Sequence, residues 1–167
     1  QGGALMFELF GKAVAGLFGE DTPGLSDPAR VHSHWQEIIE AAERYYRPGT
    51  FTSFVAFEFS PTYRANPSAH LHRNVIFRNR QVPWTPVSYY EASTPQRLWR
   101  QLDALCQQAG TGCDALLIPH NSNLSGQGLM FQSARLPLAG GAAPPVDVEE
   151  ARLRQRWEPL VEIMQHK

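Results

Sequence analysis

Apolar positions along the chain first recur at three- and four-residue spacing, then run together, then alternate with turn residues, and each change marks an element. Met6, Phe7, Phe10, Ala13, Val14, Leu17 and Phe18 predict a helix over residues 4–18 that buries one face. A turn rich in Gly, Pro, Ser and Asp follows. Ser26 as N-terminal acceptor and Pro28 in the opening turn then predict a second helix. Its stripe is Val31, Trp35, Ile38, Ile39, Ala42, Tyr45 and Tyr46, and Pro48-Gly49 stops it.

Residues 51–59 (Phe-Thr-Ser-Phe-Val-Ala-Phe-Glu-Phe) are β-branched and aromatic, as in a strand buried on both faces. Residues 60–69 read as a loop and 71–77 as a short strand. Ser93 with Gln96 forms a capping-box pattern, with Pro95 in the first turn, for a helix burying Leu98, Trp99, Leu102, Leu105 and Cys106. Gly110-Thr111-Gly112 ends that helix, and residues 115–118 are a fully apolar strand. Residues 121–147 lack a period and are expected to form a lid or wall beside a site. A helix over 148–157 and a last strand over 160–164 complete the order. The class is α/β in one domain, helical over 1–49 and mixed over 50–167, with functional groups expected at the carboxyl ends of parallel strands.

Composition narrows the function. The 167 residues carry 15 Lys plus Arg against 16 Asp plus Glu, so no basic field favours nucleic acid. The most apolar stretch, 4–18, includes Glu8 and Lys12 and is shorter than a membrane span. It also lacks the basic start and cleavage site of a signal peptide, and the compartment, periplasmic or cytoplasmic, stays open. Cys106 and Cys113 lack metal-ligand spacing, and a bridge across their short turn is geometrically allowed.

Among residues able to do chemistry, Glu58 lies in an apolar strand, where a carboxylate either reaches solvent at the strand end or is paired or metal-bound. It shares a face with Phe54, Ala56 and Ser60. His70 and His72 project to one side of the next strand, whereas His32 and His34 are two apart on a helix and diverge. His120 stands at a strand tip before Asn121-Ser122-Asn123, a ligand for Zn, Mn or Fe or part of an Asn-rich turn. Arg73 and Arg78 suit either an anion clamp or a solvated edge.

Three stretches then resemble a known family: Leu71-His72-Arg73-Asn74-Val75-Ile76-Phe77, Ile118-Pro119-His120-Asn121-Ser122-Asn123-Leu124-Ser125, and Glu158-Pro159-Leu160-Val161-Glu162-Ile163-Met164-Gln165-His166-Lys167. They are similar to the PHP-like metallohydrolases of domain of unknown function 3604, over most of residues 51–167 and only loosely over 1–49. PHP denotes the polymerase and histidinol phosphatase superfamily. The resemblance implies a distorted, TIM-like α/β barrel around two or three metal ions, here incomplete at both ends. By position, Glu58, His72 and His120 look like metal ligands, 14 and 48 residues apart in turn. Arg73, Asn121 and Asn123 look like substrate contacts. The family's upstream Asp-Leu-His-x-His-Thr and Asp-His elements and its downstream ligands have no counterpart, so the chain is expected to be the middle of a longer protein.

The expected function is a metal-dependent hydrolase acting on a small anionic phosphoester or sulfate ester. The alternative is a binding or interaction module that keeps the fold without a complete metal cluster. Neither reading fixes the oligomeric state.

Overall fold

The computed structural model describes residues 27–61, 69–126, 129–132 and 144–165. The helix expected over 4–18 and its neighbour's cap at Ser26 lie outside these residues. Helix α1 spans Pro28–Tyr45, and its N-cap is Asp27, whose carboxylate accepts from the Ala29 N–H at 3.0 Å. Strand β1 is Ala56–Phe59, β2 is Arg73–Phe77 and β3 is Ala115–Pro119. Helix α2 is Pro95–Leu102 and α3 is Val148–Trp157.

The three strands form one sheet in the order β1-β2-β3, and both pairs are antiparallel. The expectation of parallel strands is therefore corrected. Three helices and this antiparallel sheet make a mixed α/β fold. The strand expected over 51–59 is shorter, and it is buried on one face rather than two. Alternation explains this: Val55 and Phe59 point inward with Val75, Phe77 and Leu117, while Phe54 and Glu58 stay exposed on the outer face.

All three helices cover the inner face. Trp35 and Ile39 of α1 pack on it, with the Trp35 ring edge-on to Phe57 and Phe77 at 5.9 and 6.0 Å. The indole N–H of Trp35 donates to the Pro83 carbonyl at 2.9 Å, so the buried ring leaves no polar atom unpaired. Ile38, Tyr45 and Tyr46 of the predicted stripe are exposed, a narrower buried face than the pattern implied. His32 stacks on Trp84, and His34 lies near Glu37, both on the α1 surface.

Helix α2 buries Leu98, Trp99 and Leu102 completely. Its N-cap is Thr94, one residue later than the Ser93 expected, and Thr94 Oγ1 accepts from the Arg97 N–H at 3.3 Å. A π-helical turn, Asp103–Gln108, extends it. Gly110 and Gly112 then take positive φ of 64° and 76° to reverse the chain into β3. A disulfide between Cys106 and Cys113, with Cα atoms 4.5 Å apart, closes this reversal. Past α3, residues 160–164 form no strand, and Leu160, Ile163 and Met164 are exposed. Within 121–147 the described parts are short 3₁₀ turns at Ser122–Leu124 and Leu129–Phe131. Met130 is buried there with Ala69 and Leu71, so this part of the segment is anchored to the body of the fold.

One inner-face position is charged. Arg73 is 1% exposed, and its guanidinium pairs with Glu158, donates to the Leu71 carbonyl and lies 3.5 Å from Met130 Sδ. Glu158 also accepts from the Trp99 indole N–H at 3.0 Å. Breaking a buried pair strands the surviving charge, so Glu158→Ala should cost about 3–5 kcal/mol in urea unfolding. The double change Arg73→Met with Glu158→Gln, which keeps an acceptor for Trp99, should cost less than the single one. A single-variant loss below about 1 kcal/mol would show that the pair is not sealed from water.

Candidate metal centre

Glu58, His72 and His120 converge because the register brings them together. Glu58 pairs with Asn74 across β1 and β2, and Arg73 pairs with Pro119 across β2 and β3. Continuing the second ladder by one residue sets His72 opposite His120, and the His120 N–H donates to the His72 carbonyl at 3.1 Å. Arg73 and Pro119 point inward, so the flanking His72 and His120 point outward, to the face that carries Glu58 and Asn74. One ligand atom from each of the three lies within 4.8 Å of the others.

His72 Nδ1 is 2.9 Å from Glu58 Oε1, and His120 Nε2 is 3.8 Å from the same oxygen. Burial pushes the His72 imidazole below its usual pKa, against the opposing pull of Glu58, and His70 and His120 add to the lowering. The ring is then neutral at pH 7, so Nδ1–H donates to the carboxylate; a cation taken up at Nδ1 requires that proton to move to Nε2. His120 is almost enclosed, whereas the Glu58 side chain is 46% exposed and open to solvent. His70 stacks face to face on His72 with ring centroids 5.1 Å apart.

Two imidazoles and one carboxylate match a donor set used by zinc hydrolases, with coordination positions left for water or substrate. Bonds of about 2.0–2.2 Å to one ion ask for only a small contraction of the present spacing. Among the described residues this is the one group of three such side chains able to share an ion.

The other candidates sit elsewhere or are otherwise engaged. Arg73, expected to contact substrate, faces inward and is held by Glu158, which corrects that expectation. Asn121 is buried, and its side-chain oxygen accepts from the Asn123 N–H at 3.4 Å, as in an Asx turn. Asn123 is exposed beside it. Arg78 lies 3.5 Å from Asp114 at the far end of the sheet from the triad. Sequence reasoning missed Asn74, exposed and directly across from Glu58, although the period of two in Arg73-Asn74-Val75 already places it on the side of His72. It also missed Glu162, whose carboxylate accepts from the Asn121 N–H at 3.0 Å. No local pattern pairs residues 41 apart.

With this geometry in place, comparison with known families is decisive on one point. The chain belongs to the DUF3604 family. That family, described as a protein of unknown function, matches residues 11–167, so membership extends well into the region where the resemblance was loose. No curated protein and no solved structure matches.

The geometry makes a direct prediction for this DUF3604 chain. Zinc or manganese should raise its melting temperature, since a ligand at 100 times its Kd adds about 2.7 kcal/mol. Replacing Glu58, His72 or His120 by Ala should weaken binding by more than the roughly 10–100-fold that loss of an outer partner costs. His34→Ala should leave it unchanged. Equal binding by all four variants would place the metal elsewhere.

Proposed function

We propose that the protein is a metal-dependent hydrolase of the PHP type, acting on a small phosphoester or sulfate ester. The observation that supports this reading most is the Glu58–His72–His120 triad on an open sheet face. These three residues would hold a divalent zinc, manganese or iron ion. When bound, such an ion supplies an activated water and Lewis-acid stabilisation of the ester oxygens.

The chain's own residues do the rest. Glu58 brings negative charge to the two neutral imidazoles and keeps the site attractive to a cation. Asn74, across from Glu58, has an amide placed to donate to an ester oxygen beside the ion. The exposed Asn123 is a second polar group at the turn that follows His120. The barrel and the further ligands implied by the resemblance belong to this proposal and not to the described sheet, which is antiparallel. The rival reading, a binding module, draws on the small number of ligands: three side chains suit one ion rather than a bridged cluster.

Hydrolysis of p-nitrophenyl phosphate or p-nitrophenyl sulfate, with manganese or zinc added, separates the two. The hydrolase reading expects turnover that EDTA abolishes, and that His120→Ala lowers by about 100-fold or more. It also expects Asn74→Ala to lower kcat by about 10–100-fold with little change in melting temperature, as for loss of a donor to developing charge. A protein that binds no metal and hydrolyses neither ester is the module.

A further inference from the structure

We propose that Glu162 is a positioning residue for this centre, gripping the backbone on both sides of His120 and so setting metal affinity; this rests on the metal reading of the triad. Three consecutive backbone groups at the tip of β3 are fixed. The Pro119 carbonyl accepts from the Glu162 N–H at 3.0 Å, the His120 N–H donates to the His72 carbonyl at 3.1 Å, and the Asn121 N–H donates to Glu162 Oε2 at 3.0 Å. One residue therefore holds the groups immediately before and after a ligand.

The position matters because the β3 ladder ends at Pro119 and the chain enters the 3₁₀ turn Ser122–Leu124. Ladder hydrogen bonds no longer define the backbone there, and the Glu162 contacts take their place. A carboxylate accepting from a backbone N–H makes a charge-assisted bond, about twice as strong as a neutral one. Ligand side chains must be held within roughly 0.5 Å and 10–20° of the productive geometry, which a loose strand tip does not guarantee.

The grip is itself anchored. Glu158, four residues earlier, is tied to Arg73 and Trp99, so the segment carrying Glu162 is moored to the core. Arg73 is the immediate neighbour of His72. The same non-helical segment thus contacts the residue after one histidine ligand and the residues flanking the other.

The test uses the whole chain with Glu162→Ala and Glu162→Gln. Two readouts are taken: cobalt(II) titration followed by its visible absorption, and amide hydrogen exchange at His120 and Asn121 in the metal-free protein. Glu162→Ala should speed exchange at Asn121, weaken cobalt binding by about 10–100-fold and alter the absorption bands. Glu162→Gln, which keeps an acceptor oxygen, should recover most of both. Wild-type cobalt affinity and bands in Glu162→Ala overturn the proposal. If the parent protein takes up no cobalt, the metal reading fails, and exchange alone then decides: unchanged protection at Asn121 in Glu162→Ala removes the grip as well. Should Glu162→Ala fail to fold, Glu162→Asp keeps the charge but shortens the reach, and the same outcomes are read on it.

Discussion

The buried ion pair between Arg73 and Glu158 is the constraint on which the rest of the arrangement depends. A guanidinium with 1% exposure can exist on the inner sheet face only if a carboxylate and carbonyls meet it there, and Glu158, Leu71 and the Trp99 N–H together complete that network. Side chains alternate along a strand, so fixing Arg73 inward fixes His72 and Asn74 outward. A slip of one residue would strand the guanidinium in water and drive an imidazole into the core. The pair thus acts as a register lock for β2, beyond what the apolar pattern of Val75 and Phe77 supplies.

The two faces of the sheet consequently do different work. The inner face packs Val75, Phe77 and Leu117 against Trp35, Leu98, Leu102 and Trp157, leaving no space for chemistry. The outer face holds Glu58, Asn74, His72 and His120 at one end. Towards the other end lies an open apolar hollow of about 320 Å³ beside Phe54, Ile76, Leu116 and Ile118. A site on an uncovered face is reachable by small molecules, while its ligands are oriented from below by a rigid core.

How much was legible in the sequence follows from the range of each interaction. The helix of Trp35 and Ile39, the strand positions and the parity of Glu58 were readable because they depend on spacing within a few residues. The convergence of Glu58, His72 and His120 was reached through motif resemblance rather than through spacing. Strand direction was misjudged because a capped helix before an apolar run suggests a parallel crossover, whereas the observed ladder is antiparallel. Arg73 was misassigned for a related reason. Its partner Glu158 lies 85 residues away, and nothing near Arg73 distinguishes an anion clamp from a buried pair. Residues 160–164, apolar enough to predict a strand, instead serve as an exposed strap whose fixed points are polar.

Antiparallel pairing also explains why the candidate ligands gather without a barrel. In parallel sheets the carboxyl ends of all strands lie on one edge, and sites form there. In this sheet β2 enters where β1 and β3 leave, so His72 precedes its strand, His120 follows its own, and Glu58 lies near the end of the third. The same edge therefore collects one group from a strand entrance and two from strand exits. An entrance histidine is held by the loop before it, and an exit histidine only by whatever follows, which is why His120 in particular needs an external grip such as Glu162 provides.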